Sequence, residues 1–323
     1  MKAVELTSML VDKHFISRRG LLRRVGVTAA LGLLDSTLSA ATSDSVGPAR
    51  LDYVCPMDAN VRSDKPGFCS KCGMRLRLGI PDLKEYQLDV STTPSVIHPN
   101  EKVGFLFTLR DPDTGTAVRD YEVVHQKLFH LFFVSSDLKY FMHEHPVIRD
   151  DGSFVFEHLF PKAGMYRMLA DVFPSAGSPQ LIPKTIFVSS RSGDSTLPDE
   201  ASLAPDLGVQ HGANTDVQVS TIPEKPMAGT KTILFFKFNK ADGMEKYLDA
   251  WAHMLVASDD TIDLMHEHPS IADGGAEMQF TLILPRERTY RVWLQFQRSG
   301  VLNTVAVNIP VVTLAEGEGI QSR

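Results

Sequence analysis

The chain is poor in cysteine, in net positive charge and in long apolar runs, and each shortage excludes something. Three cysteines occur in 323 residues, all between positions 55 and 72. An odd number confined to one stretch is not a simple disulfide framework. The formal net charge is −6, and no basic cluster survives beyond the N-terminus, so nucleic acid and other polyanions are not expected partners. The apolar run Val25 to Leu34 is too short to cross a bilayer, and no membrane-spanning or channel pattern follows it. There is no Gly-x-Ser-x-Gly elbow and no phosphate loop. What remains, 43% hydrophobic and 22% charged, is ordinary globular material with enough length for two or three domains.

What is present is a repeat. Met142-His143-Glu144-His145-Pro146 recurs unchanged as Met265-His266-Glu267-His268-Pro269, and thirteen residues before the first His of each copy stands another, His130 or His253. Both intervening segments carry Ser-Asp near the middle, a turn signal, so each copy is expected to be an antiparallel hairpin. A tight turn at Ser136-Asp137 would place His130 opposite His143; the equivalent turn at Asp259-Asp260 would place His253 opposite His266. Residues two apart on a strand share a face, so His145 and His268 would join them and three imidazoles could converge in each repeat. Met142, Met265, Glu144 and Glu267 would point the other way. On a helix the His-Glu-His triplet would splay by about 200° and could not hold one ion.

Along the chain, residues 1–41 read as a twin-arginine-type signal peptide: Arg18-Arg19, the short apolar run, then small residues at Ser39-Ala40-Ala41. Removing them takes away six Lys/Arg and three Asp/Glu, leaving a charge of −9. A bacterial periplasmic or secreted protein is expected. A Cys-rich module follows at 51–80, with Tyr53-Val54-Cys55-Pro56-Met57-Asp58 and then Pro66-Gly67-Phe68-Cys69-Ser70-Lys71-Cys72-Gly73-Met74. The Cys-x-x-Cys-Gly turn can aim two sulfurs at one ion, and Cys55 adds a third soft donor.

These residues resemble the small heavy-metal-binding domain of copper-transporting P-type ATPases and of periplasmic adaptors in copper and silver efflux. The family pattern runs Tyr-x-Cys-Pro-Met-His-Pro, then Pro-Gly-x-Cys-Pro-x-Cys-Gly-Met. The resemblance covers about Tyr53 to Leu76 and implies metal-associated roles for Cys55, Met57, Cys69, Cys72 and Met74. Asp58 stands where the family has His, which leaves a fourth ligand open. Cys/Met donors suit Cu(I), whereas three thiolates with a carboxylate or water suit Zn²⁺. A structural zinc knuckle or a Cys69–Cys72 disulfide are the alternatives.

Beyond Leu83 the pattern turns to β, with short runs such as Val103 to Leu109 and Ser153 to Phe156 separated by Asp-, Pro- and Gly-containing turns. The second half repeats the first in the same order; Pro161 to Tyr166, followed by Arg167, recurs as Pro285 to Tyr290, followed by Arg291. The expected fold is mainly β: the module, then two tandem immunoglobulin-like antiparallel β-sandwich domains at 83–190 and 208–314, joined by a linker at 191–207 and followed by a tail at 315–323. The sandwiches resemble immunoglobulin-like periplasmic domains that accompany the heavy-metal-binding module in bacterial secreted proteins, a likeness that implies fold only.

Function follows from the donors. Candidate metal ligands are Cys55, Met57, Cys69, Cys72 and Met74 in the module, and His130, His143, His145, His253, His266 and His268 in the hairpins, with a copper or zinc ion as cofactor. The first hairpin is favoured because His125 and His158 belong to the same repeat; His98 and His211 read as surface residues. Non-enzymatic metal binding in sequestration, tolerance or delivery is the favoured function, with a copper transporter or efflux component as candidate partner. The alternatives are an envelope interaction scaffold with a structural zinc knuckle and a metal-dependent enzyme using a three-His site. Zinc-protease chemistry is disfavoured because it needs His-Glu-x-x-His on a helix, and blue-copper electron transfer because neither sandwich contains a cysteine. Since ligands must be deprotonated, His-site affinity is expected to fall below about pH 6.5.

Overall fold

The computed structural model describes residues 53–58, 61–78, 84–175, 177–191 and 201–313. The signal peptide, residues 192–200 of the linker and the tail lie outside the described residues. Every regular element described is a strand, and no helix long and apolar enough to cross a membrane occurs among the described residues.

The Cys-rich module is a three-stranded sheet in which β1 (Tyr53–Val54) pairs with both β2 (Arg62–Ser63) and β3 (Arg77–Leu78). The first repeat contains β4 (Gln87–Thr93), β5 (Lys102–Arg110), β6 (Phe129–Ser135), β7 (Phe141–Glu144), β8 (Val147–Ile148), β9 (Phe154–Leu159), β10 (Gly164–Val172) and β11 (Gln180–Val188). The second contains β12 (Val209–His211), β13 (Asp216–Ile222), β14 (Lys231–Phe238), β15 (Met244–Glu245), β16 (His253–Ser258), β17 (Leu264–Glu267), β18 (Glu277–Ile283), β19 (Thr289–Arg298) and β20 (Val301–Pro310). In the first repeat the sheet β4-β5-β9-β8 faces the sheet β11-β10-β6-β7; in the second, β12-β13-β14-β18 faces β15-β19-β16-β17, with β20 added beside β19. All these pairings are antiparallel.

Period-two patterning builds the cores. Along β5, Val103, Phe105, Phe107 and Leu109 are buried and the residues between them are not. They meet Phe129, Leu131 and Phe133 of β6 and Met168, Ala170 and Val172 of β10. Val219, Leu234, Phe236, Val256, Leu294 and Phe296 belong to the corresponding core of the second repeat. Tyr166 donates from its hydroxyl to the carbonyl four residues upstream, Lys162, in the tyrosine-corner arrangement of immunoglobulin-like sandwiches, and Tyr290 stands in the same place, its hydroxyl 3.3 Å from the Arg286 carbonyl and donating to Asp263 Oδ2 at 2.8 Å.

Strands β6 and β16 break the alternation, since every residue but Ser135 is buried. Their second faces are covered by the other repeat. Phe132, Val134, Leu138 and Leu169 pack with Leu255, Ala257 and Trp293 in a third apolar cluster drawn from both halves, reached also by Ala201 and Leu203 of the linker. Phe141 lies nearly parallel to Trp293 with ring centroids 5.2 Å apart, and Arg167 Nε donates across to the Thr261 carbonyl at 3.1 Å. The repeats therefore join face to face through the sheets that carry the histidines.

The hairpins form, with a register two residues from the expected one. Phe132 opposes His143 and Leu131 opposes Glu144, and Leu255 opposes His266. The turns are longer than two residues. Ser135 N donates to the Tyr140 carbonyl and Ser258 N to the Asp263 carbonyl, while Asp137 and Asp260 accept from the serine hydroxyls and Leu138 and Thr261 take positive φ. A slip of two keeps every side chain on its face, so the convergence of the histidines survives the error. Met142 joins its own sandwich core as expected, and Met265 packs against its own.

If the cluster around Trp293 holds the repeats together, Trp293→Ala costs about 3–5 kcal/mol of unfolding free energy. The control Phe187→Ala, at a side chain 66% exposed, changes it by less than about 0.5 kcal/mol. Urea denaturation of both variants measures this, and equal midpoints would contradict the interface.

Candidate metal centres

In the module, the turn from Cys69 to Met74 closes with Gly73 N donating to the Cys69 carbonyl and Cys69 N to the Met74 carbonyl. Gly73 sits at φ 74°, a conformation that costs a residue with a side chain. The three sulfurs lie within 4.8 Å of one another, Cys55 Sγ and Cys72 Sγ at 3.5 Å, and all three cysteines are free thiols, with no Cys69–Cys72 disulfide. Three sulfurs bound to one ion at about 2.3 Å would stand about 3.8 Å apart in tetrahedral geometry. Backbone amides of Asp58 and Lys71 donate to Cys55 Sγ and Cys69 Sγ, both at 3.4 Å. Burial pushes the Cys55 and Cys72 thiols up; at Cys69 burial is outweighed by the Cys72 and Lys71 amides, which hold it below its ordinary value. Asp58 pairs with Lys71 Nζ at 2.5 Å. Met74 is buried with Cys72, Val124 and Phe173, fastening the module to the first repeat, and Met57 is exposed.

The histidines fall into two triads of matching construction. His130 is the second residue of β6 and His253 the first of β16, each after a tight turn with two positive-φ residues, His125-Gln126 or Leu248-Asp249. The first carbonyl of each turn, Val124 or Tyr247, lies 3.0 or 3.1 Å from Nε2 of the following His. A carbonyl only accepts, so Nε2 carries the proton and Nδ1 is left bare. In the first triad this bare Nδ1 is 3.2 Å from both His143 Nε2 and His145 Nε2. His143 Nδ1 donates to Gln295 Oε1 at 2.8 Å, so its Nε2 is bare as well, and the 3.2 Å contact between His130 and His143 joins two acceptors. In the second triad His253 Nδ1 is 3.4 Å from His266 Nε2 and 3.0 Å from His268 Nε2, and His266 Nδ1 donates to Asp171 Oδ2 at 2.6 Å.

Nitrogens bound to one tetrahedral ion at about 2.0–2.1 Å stand about 3.3 Å apart, close to the spacings in both triads. Two facing lone pairs, His130 Nδ1 and His143 Nε2, repel one another unless a cation lies between them. Burial, the leading cause at each site, pushes the His130 pKa down to about 4, His145 to about 3 and His253 to about 2, with His143 and His268 also well below the ordinary value. For the first triad a proton is therefore a poor occupant at neutral pH. Three imidazoles per ion leave a coordination position open.

The orienting partners cross between repeats. Asp171 is the β10 neighbour of His130, yet it holds His266; Gln295 is the β19 neighbour of His253, yet it holds His143. Burial, the largest influence, would raise the Asp171 carboxyl, but the His266 hydrogen bond together with charge interactions with His266, His130 and His125 outweighs it and holds the carboxyl below its ordinary value. Asp171 and Gln295 escaped the sequence reading, although each stands five residues after the repeated tyrosine, Tyr166 or Tyr290, and an internal alignment would have paired them. The favouring of the first hairpin is corrected too. His158 is on β9, bonded to the Tyr140 hydroxyl at 2.9 Å and stacked against Phe133 and Phe156. His125 lies against the second triad, its ring centroid 3.8 Å from that of His268. His98 is half-buried and His211 exposed, and they are bonded to the Ser189 carbonyl and to Asp216 respectively. A cleft of about 470 Å³ carries Met57 and Cys72 of the module on its wall together with His125, Glu267 and His268.

The buried rings also move the expected pH window. A histidine kept neutral by the fold contributes stability above its unfolded pKa of about 6.5, lost as pH falls because only the unfolded chain takes the proton, at about 1.4 kcal/mol per pH unit per ring. The metal-free chain should lose thermal stability steadily as pH falls from 6.5 to about 4. A melting temperature flat across that range would refute this.

The comparisons with known proteins bear on both parts. Residues 53–77 match the heavy metal binding domain, and residues 83–189 and 212–313 match a domain of unknown function, DUF8832. No curated protein matches the sequence. Among solved structures, the Escherichia coli adhesin FdeC is 13% identical with a TM-score of 0.23, covering 74% of this chain and 70% of its own. The FN1–FN3 domains of chicken CNTN1 are 10% identical with a TM-score of 0.20, covering 77% and 76%. Likenesses this weak carry no functional weight. The family match spans well over half of the 323 residues, and the chain belongs to the DUF8832 family, with a heavy metal binding domain placed ahead of it.

Proposed function

We propose that this protein is exported to the periplasm and binds copper there, in sequestration, tolerance or delivery. The observation that carries the reading is the pair of buried histidine triads whose ring nitrogens converge at 3.0–3.4 Å. Neutral imidazoles suit Cu²⁺, and the thiols of the module, with Met57 at the cleft, suit Cu(I). Delivery is supported by the shared cleft, which brings soft and borderline donors to one solvent-filled space. A copper transporter or efflux component is the partner we expect to supply or receive the ion.

Elemental analysis of the mature protein, purified without chelators, tests this beside a variant with Cys55, Cys69 and Cys72 replaced by Ser. The expected result is more than one copper per native chain, with part of it retained in the variant. Zinc alone, at one equivalent and lost with the cysteines, would leave a structural knuckle on a scaffold and overturn the proposal.

The orienting carboxylate makes a second test. Asp171→Asn should weaken binding at the second triad by about 10–100-fold, read by competition against a chromophoric chelator. Unchanged affinity would mean that His266 is not a ligand.

A further inference from the structure

Within each triad the ring centroids lie 4.6 to 5.7 Å apart. Between triads the spacing is the same: His130 is 5.6 Å from His253 and 5.4 Å from His266, and His143 is 5.3 and 5.9 Å from the same two rings. Donor atoms of His130, His253 and His266 also fall within 4.8 Å of one another, a grouping that ignores the division between repeats. Each triad is moreover oriented by a residue of the opposite repeat, so neither is complete in one sandwich.

We propose that the six histidines form a single dinuclear centre, one ion in each triad, with a hydroxide bridging the two open coordination positions. The inference rests on the histidine sites of the preceding section being metal sites. Charge argues for the bridge. Two divalent ions in a space where His130, His143, His253 and His266 are all under a tenth exposed need anions close by, because burying uncompensated charge costs several kcal/mol per ion. Asp171 supplies one negative charge, against His266. A water placed between two ions loses a proton to solvent and becomes hydroxide, with no change in metal oxidation state, because each ion lowers the pKa of the oxygen it binds.

The centre would be asymmetric. The second triad has the carboxylate of Asp171 behind His266 and the ring of His125 beside His268, whereas the first has the neutral Gln295 amide behind His143. A carboxylate behind a ligating imidazole raises its basicity, so the second triad should fill first.

The test is Cu²⁺ titration of the full-length chain with Cys55, Cys69 and Cys72 replaced by Ser, which removes thiols that would reduce the ion. Bound copper is counted by elemental analysis and unpaired spin by electron paramagnetic resonance. Two bound copper ions with integrated spin well below half of the copper are expected, because a bridged pair couples antiferromagnetically. Adding His143→Ala, or separately His266→Ala, should leave one copper with its full spin; the two variants lie in different repeats, so misfolding of one leaves the other. Two copper ions with full, undivided spin and no dipolar splitting would overturn the coupled centre while leaving metal binding intact. One copper per chain without either His substitution would replace it with a single shared ion. No bound copper would remove the metal reading itself.

Discussion

The contact between the two repeats is the constraint on which everything else depends. Each sandwich has an inner face closed by its own second sheet and an outer face on β6, β7 and β10, or β16, β17 and β19. That outer face carries both aromatic residues and histidines. Alone, it would expose Phe132, Phe141 and Trp293 to water and leave His143 and His266 without the Gln295 and Asp171 side chains that orient them. Packed against its counterpart, it buries the aromatics at one end of the interface and the histidines at the other. Burial disfavours charge on His130, His143 and His253, and carbonyls and a partner side chain set which of their nitrogens is bare. Chemistry and cohesion share one surface.

Duplication explains how such a surface arises without extra parts. A hairpin with three histidines and a turn that offers its carbonyl to the first of them need be encoded once. Copied and turned face to face, it meets itself, and the residue beside the first histidine in each copy becomes the orienting partner of a ring in the other. The copies then diverged where the second set of contacts lies, Asp171 against Gln295 and His125 against Leu248. The small Cys-rich module is fixed to this body by Met74, packed with Val124 and Phe173, and by the ion pair of Arg77 with Glu122. Val124 is also the residue whose carbonyl holds His130, which places the thiols close to the turn that orders the first triad.

Much of this was legible from residue order because the signals were periodic. Alternation along Val103 to Leu109, turn residues between short runs and the verbatim Met-His-Glu-His-Pro repeat led to paired sandwiches and to histidines sharing a strand face. The hairpin register was misread by two residues, since turn length depends on side-chain bonds such as Asp137 to Ser135 that composition does not reveal, yet the face was right because side-chain direction has period two. The reading of His158 as a possible supporting donor failed for a different reason: nearness in sequence places it in the repeat, but β9 belongs to the opposite sheet.

Residue order alone carries the strands, the side of each strand on which every histidine stands and the thiolate turn, because these follow from local backbone periodicity and from glycine at Gly73. What lies opposite that side comes from the packing of the two repeats. The continuous apolar runs of β6 and β16 require cover on both faces, but an apolar face states only that it must be buried, not against what. That the cover is the other repeat, that Asp171 and Gln295 reach across it, and that two triads meet at one place all depend on the docking of distant surfaces, which no local pattern encodes.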